Sequence, residues 1–348
     1  MAQPARGPDP ASAIAAQIRH AGDTAALGQA AQRVDALVAQ WQGNGAAIEA
    51  LCSQVCELNR ALFARAWGLL AAPELVAHSC LVVMGSEGRG EQLLKADQDN
   101  ALLLRDGLPM DGVAAAAERF SAALADFGYP RCPGHVMLST PLWCQPLAAF
   151  KQTLRGWMFD GDADAAMNLA IFLDAAAVAG DAGLLQRARG FVDVHLVDND
   201  AFFARFASAA DQFGEPGGWW SRLTHLRSHD EAAIDLKKLG TFPVVHGVRS
   251  LALQHHVGEL GTAARLRVLA ERGHVEEALA DELTHALHAL MALKLAHQLR
   301  QREAGEPLDN VVPVAALAPH EHEVLKDALA SVRRFRRHLH QHYRLDSL

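Results

Sequence analysis

The chain has 348 residues, 50% hydrophobic and 21% charged, enough to bury a sizeable core and divide into two or three domains. A formal charge of -8 and a pI near 6.1 leave no basic footprint for nucleic acid. No run approaches the roughly 18 apolar residues of a membrane span, the N-terminal MAQPARGPDPASAIAAQ lacks a leader's apolar stretch, and the five cysteines form no CxxC pair. The expectation is a cytoplasmic protein with reduced thiols and neither a membrane nor a nucleic-acid partner.

After a Pro- and Gly-containing arm over residues 1–10, Val34, Leu37, Val38 and Trp41, then Ile48, Leu51, Val55, Leu58 and Leu62, recur at three- and four-residue steps. That period predicts two amphipathic helices broken at GNG, residues 43–45. From Cys80 to about Thr140 the character changes. CLVVM (80–84) and NALLL (100–104) are short apolar runs bounded by turn signals and predict strands, and GHVMLST (134–140) predicts a third. A helix from about Gly112 to Phe127 separates the last two. Beyond about residue 145 strand signals vanish, while Ala, Leu, Arg and His recur with helical spacing. FGEPGG (213–218), Pro307, Pro313 and Pro319 interrupt that spacing, which predicts a bundle. The expected class is α+β: a helical segment over 1–78, a small mixed-sheet domain over 79–145 holding all the strands, and a helical domain over 146–348.

The chemistry concentrates in MGSEGRGEQLLKADQDN, residues 84–100. Asp97 and Asp99 are two apart, so in an extended segment both carboxylates reach one face of the sheet. Like charges held side by side are costly without a cation, and Mg²⁺, or Mn²⁺ in its place, prefers such oxygen ligands while keeping sites for water and phosphate. Gly85 and Ser86 stand where the first strand turns into an expected helix over 87–94. Backbone N–H groups there attract phosphate, and glycine allows close approach. Arg89 adds a guanidinium suited to phosphate oxygens, and Lys95 is a second nearby cation. The glycines at 85, 88 and 90 fit neither G-x-G-x-x-G nor a P-loop. The opposing reading of DQDN is a pair of solvated aspartates at a strand end. Gln98 and Asn100 point to the other face and are expected to pack, and Glu91 to orient Arg89.

The order hydrophobic-Gly-Ser, about a dozen residues, then Asp-x-Asp resembles the DNA polymerase beta-like nucleotidyltransferase superfamily. More narrowly, GSEGRGEQLLKADQDNALL is similar to the nucleotidyltransferases of bacterial signal-transduction proteins that often carry CBS and cyclic-nucleotide-binding domains, themselves similar to the uridylyltransferase of the PII regulator. The likeness continues through GYPRCPGHVMLSTPLW (128–143), AIFLDAAAVAGD (170–181), IDLKKLGTFPVVHGVRSLAL (234–253) and LKLAHQ (293–298). It implies a polymerase-beta-like domain followed by a helical domain, with phosphates on Gly85 and Ser86 and metal on Asp97 and Asp99. The implied activity moves a nucleoside monophosphate from a nucleoside triphosphate to a protein or small-molecule acceptor. The chain departs from the pattern in two places. HVMLS contains no third carboxylate, leaving Asp160, Asp162, Asp164 and Asp174 as the nearest downstream candidates, and Ala175–Ala177 stand where relatives tend to have an arginine after IFLD. A nucleotide-binding sensor or interaction module without a catalytic base is therefore the alternative.

Lys237, Lys238 and Arg249 are candidates to reach the triphosphate from the helical domain, against a solvated basic face as the plainer reading. His338 and His342 in the arginine-rich tail have i, i+4 spacing, for which a solvated helix face is preferred. Trp219 and Trp220 read as a packing anchor.

Overall fold

The computed structural model describes residues 9–159, 163–197, 199–211 and 233–347. The chain forms two compact units, Met1–His195 and Leu196–Leu348.

In the first unit, α1 (Pro10–His20) and α2 (Thr24–Gly43) precede α3 (Ile48–Leu70). The Asp23 carboxylate caps α2 by accepting from Ala26 N at 2.8 Å. The chain breaks at the expected glycines, and α3 then buries Leu51, Val55, Leu58, Leu62, Phe63, Ala66 and Trp67 along one face. Trp67 meets Phe120 edge-to-face at 5.6 Å, and Phe63 meets Tyr129 likewise at 5.0 Å. These contacts tie the N-terminal helices to α6 (Val113–Asp126) and the loop after it, so the first helices share a core with the sheet region.

A short α4 (Pro73–Ala77) leads into β1 (Ser79–Val83), α5 (Gly85–Arg89) and β2 (Asn100–Leu104). Among the described residues of this unit the sheet has the order β3-β2-β1-β4, with β3 at Cys144–Pro146 and β4 at Ala176–Gly180. β1 is antiparallel to both neighbours, with Val83 opposite Asn100 and Ala176, while β3 runs parallel to β2. Every residue of β1 and β2 is buried, which is why both read as unbroken apolar runs without alternation. Between β3 and β4 run α7 (Leu147–Phe159) and α8 (Ala163–Phe172); α9 (Ala182–His195) follows β4 and packs on β1 and β4.

The α+β class with a small mixed sheet holds, but two of its strands are not where the sequence puts them. HVMLS is not a strand: Pro133, Gly134 and a left-handed His135 (φ 56°) break the segment, which fastens to β2 only through single bonds such as Asn100 N to Val136 O. The sheet is completed instead by β3 and β4. CQP is too short to carry a period, and AAVAG is rich in a helix former, so pairing with β1 overrides local propensity. The helix expected over 87–94 also ends early, because Gly90 at φ 71° donates back to Glu87 and Ser86 carbonyls and closes α5.

The second unit is helical over Asp200–Ser208, Phe242–Gln254, Thr262–Glu271, Glu277–Ala304 and Pro319–Tyr343, with the last two packed together. It also holds a two-stranded antiparallel ribbon, β5 (Ala233–Asp235) with β6 (Val311–Pro313), a further departure from an all-helical expectation. Three-residue strands leave no period to read. FGEPGG, Trp219 and Trp220 lie outside the described residues. Among those described, no helix is long and apolar enough to cross a membrane, and the cysteines are free thiols.

Trp67 is fully buried and joins α3 to α6. Trp67→Ala is expected to lower the unfolding free energy by about 3–5 kcal/mol, measured by chemical denaturation. A loss well under 1 kcal/mol would show that the N-terminal helices do not share the sheet's core.

Candidate functional site

The site begins where β1 ends. Met84 is extended and its N–H donates to Asp99 O at 2.8 Å, so the strand pairing runs one bond past Val83 before the chain turns. Gly85 then adopts φ 59°, and a Cβ placed there would lie 2.7 Å from Asp99 Oδ2. Glycine is required twice over, for the backbone angle and for the carboxylate resting against the turn. Residues 97–100 alternate: Asp97 is exposed, Gln98 buried, Asp99 half-buried and Asn100 buried. The two aspartates therefore share one side of the chain. On the other side Gln98 Nε2 donates to the carbonyls of Ser121 and Tyr129, both at 2.9 Å, and Asn100 Oδ1 accepts from Leu138 N at 2.9 Å. The inner amides fasten the segment that presents the outer carboxylates, the packing role expected of them. The Cys132 thiol lies against Asp99; burial first, and then the Asp99 charge, push its pKa up.

The turn is held from behind by an ion-pair cluster. Arg89 donates from Nε to Glu91 Oε2 and from Nη1 to Asp174 Oδ2, each at 2.6 Å. Burial works against the guanidinium charge, and the two carboxylates outweigh it, keeping the pKa above its ordinary value. A Cβ on Gly88 would come within 2.0 Å of Asp174 O, so α5 lies directly on the Asp174 backbone. Asp174 has no exposed surface. It follows α8 rather than lying within a helix, and it braces Arg89, which makes it unsuited to meeting an acceptor from solvent. Asp164 is exposed in the first turn of α8, β3 contributes no carboxylate, and Asp160 and Asp162 lie outside the described residues.

The other predicted cations are also engaged within the fold. Lys95 Nζ pairs with Asp35 Oδ2 at 2.6 Å and sits over the Tyr129 ring, with Gly128 leaving room for its stem. Ser86 Oγ donates to Gln92 Oε1 at 3.1 Å. The structure thus brings Gly85, Ser86 and Asp99 together with Asp97 on the same side, and turns Arg89 and Lys95 toward acidic partners. Lys237 and Lys238 belong to the second unit, where they are exposed and their amides donate to Asp235 Oδ1 in a tight turn. Arg249 is buried there, with Nη1 3.1 Å from His246 Nδ1. The tail's His338 and His342 stack on one another, and His342 stands edge-on to His255.

Sequence reasoning missed the residues beneath the turn. Asn59 donates to Glu87 Oε2 at 3.0 Å and accepts from the Tyr129 hydroxyl at 2.8 Å, all three being buried. A signal was present: Asn59 stands between Val55 and Phe63 at four-residue steps, an amide inside an apolar stripe.

Asp97 and Asp99 supply hard oxygen donors from one side of a strand end, which fits a magnesium or manganese ion that completes its shell with water and phosphate. They do not make a protein-only cage: no group of three or more His, Cys, Asp or Glu among the described residues could hold a metal ion.

Asp174→Ala would strip a buried guanidinium of one of its two carboxylates and is expected to cost about 3–5 kcal/mol of stability, read by denaturant unfolding. Unchanged stability in that variant would contradict the bracing role.

Two family descriptions match the chain. "Putative nucleotidyltransferase DUF294" covers residues 32–164, spanning α3, the Gly-Ser turn and both aspartates. "Putative nucleotidyltransferase substrate binding domain" covers residues 200–343 of the second unit. No curated protein matches. With the first description lying on the β1–α5–β2 site and the second on the helical unit that follows, the chain belongs to the "Putative nucleotidyltransferase DUF294" family.

Proposed function

We propose that the protein is a Mg²⁺- or Mn²⁺-dependent nucleotidyltransferase that moves a nucleoside monophosphate from a nucleoside triphosphate to a protein or small-molecule acceptor, in bacterial signalling. The observation that carries the reading is the Asp99 carboxylate lying against the Gly85 turn with Asp97 on the same side. That juxtaposition gives phosphate oxygens and a divalent cation a common place to meet.

On this reading the Gly85 and Ser86 amides receive the triphosphate, and Ser86 Oγ exchanges its bond to Gln92 for a phosphate oxygen. Asp97 and Asp99 hold the cation, which when bound offsets triphosphate charge and lowers the pKa of an acceptor hydroxyl. An acceptor oxygen attacks the α-phosphorus in line, the α–β bridging P–O bond breaks, pyrophosphate leaves and the hydroxyl proton passes to solvent. Arg89 supports the reaction by locking α5 to Asp174 rather than by touching phosphate. Lys95 likewise fastens the segment before the aspartates, through Asp35. The protein's share is position and electrostatics. Lys237 and Lys238 are exposed in the region matched as a substrate-binding domain, where they are cations available to a substrate, and Arg249 is buried in the same unit.

One observation favours a second reading, a nucleotide-binding sensor. β3 brings no carboxylate to β2, and Asp174 is consumed by Arg89, so no third acidic group is placed to take the acceptor proton among the described residues of the sheet.

Asp97→Asn and Asp99→Asn are each expected to weaken Mg·nucleotide binding by tenfold or more while the fold persists, roughly the loss of one charge-assisted contact. The double variant should be little worse, because both groups serve one ion site. Unaltered Mg·nucleotide affinity by calorimetry in either single variant would end the metal-site reading. Replacing Lys237 and Lys238 together by Ala should reduce turnover more than ground-state affinity. Wild-type steady-state kinetics in that variant would return both lysines to a solvated face.

A further inference from the structure

Beneath the turn lies a carboxyl group that the proposed chemistry does not use. Glu87, one residue after Ser86, is 5% exposed and turned toward α3. Its Oε2 accepts from Asn59 Nδ2, while Oε1 is buried with no hydrogen-bond partner. Asn59 in turn accepts from Tyr129, and Arg60 Nη2 donates to Gly88 O at 3.0 Å. Cys56 Sγ lies 3.9 Å from Glu87 O. α3 therefore holds α5 through a chain of buried polar groups, and one oxygen in that chain is unsatisfied.

An unpartnered carboxylate oxygen in a buried site costs far more ionised than neutral. Burial pushes the Glu87 carboxyl up to about 7, against the Asn59 hydrogen bond and the Arg60 charge, so near neutrality it is partly protonated. Other charged or titratable groups lie around it on the packed elements. Arg60 of α3 acts on it directly, the Cys56 thiol of α3 and the Tyr129 hydroxyl after α6 feel its charge, and Glu57 of α3 and Asp35 of α2 act on those two groups in turn. Arg89, on Glu87's own helix, is paired with Glu91 and Asp174. Burial holds the Cys56 thiol at about 11 and the Tyr129 hydroxyl well above its ordinary value, so neither competes for the proton near pH 7. A triphosphate on Gly85 and Ser86 would add negative charge at the two residues that immediately precede Glu87, whose buried carboxyl is screened by little solvent.

We propose that Glu87 is a positioning residue whose carboxyl group takes up a proton when a triphosphate settles on the Gly85–Ser86 turn, the neutral Glu87–Asn59–Tyr129 chain being the form that holds α5 ready for phosphate. The inference rests on the reading of Gly85 and Ser86 as the phosphate turn. Its sign is fixed. Bound phosphate raises the carboxyl's proton affinity further, so binding is strongest below about pH 7 and weakens as the pH rises through that value. In the nucleotide-free protein the raised folded value means that Glu87 makes stability fall between the ordinary glutamate range and about 7, then level off.

The test is calorimetric titration of the full chain with the magnesium complexes of ATP, GTP, CTP and UTP, each in buffers of different ionisation enthalpy, from pH 6.5 to 8. Wild type is expected to take up a fraction of a proton with the triphosphate it binds. Its affinity is expected to fall about three- to tenfold across the range, as one coupled proton allows. Glu87→Gln, near-isosteric and permanently neutral, should bind at pH 8 at least as tightly as wild type, with that uptake gone and a flat pH profile. Asn59→Ala removes a hydrogen bond to the carboxylate and should move the wild-type midpoint upward by about half a pH unit or more, a shift that a merely structural role would not produce. The same proton uptake and pH slope in Glu87→Gln as in wild type would overturn the coupling while leaving the phosphate turn standing. No binding of any triphosphate by wild type at any pH would overturn the phosphate turn itself, and the coupling with it. In that case the unliganded stability difference between wild type and Glu87→Gln still reports whether Glu87 titrates as described.

Discussion

The site depends on one close approach: Asp99 Oδ2 rests where a side chain on residue 85 would have to be. Two antiparallel strands of five residues each bring these positions together, and the bond from Met84 N to Asp99 O extends the ladder to them. A carboxylate beside a backbone turn is tolerable in water but becomes useful when a cation joins it to a phosphate. The rest of the first unit serves to keep that approach unchanged. Arg89 clamps α5 to Asp174, Gly88 lets the two backbones touch, and Gln98 and Asn100 hold the aspartate segment from its buried side.

The clamp also explains why residues of the same type have different uses. Arg89 and Lys95 are cations near the turn proposed to take phosphate, and position alone would assign both to the ligand. Each is instead committed to acidic partners at 2.6 Å, in surroundings where an unpaired charge would be costly. Asp174 follows the same logic from the acidic side, since its carboxylate is fully buried and bonded to the Arg89 guanidinium, which takes it out of reach of an acceptor arriving from solvent. On the proposed reading architecture and reactivity are divided: the buried Arg89–Asp174 pair shapes the turn, and the chemistry is assigned to the more exposed Asp97 and Asp99.

What the sequence disclosed follows from which signals are local. The helices on either side of the glycines at 43–45, strands β1 and β2, α6, and the pairing of a Gly-Ser turn with Asp-x-Asp are all written in short-range period or motif and were legible. β3 and β4 were not, because CQP is three residues long and AAVAG has the composition of a helix; only pairing with the central strands makes them extended. The Glu87–Asn59–Tyr129 chain was hidden for another reason. Its members are 28 and 70 residues apart, and only Asn59 broke a visible pattern by placing an amide in an apolar stripe. The partners of Arg89 were half legible: Glu91 is two residues away, Asp174 is 85.

The central claim is that the turn and the two aspartates support transfer rather than binding alone. It is tested most directly by incubating the protein with each labelled nucleoside triphosphate and Mg²⁺, with a cell extract as the source of acceptors, and measuring pyrophosphate together with label carried onto an acceptor. The account predicts that at least one triphosphate gives both products in wild type, that both require the divalent cation, and that Asp99→Asn abolishes them. Absence of pyrophosphate from wild type with all four triphosphates would contradict it.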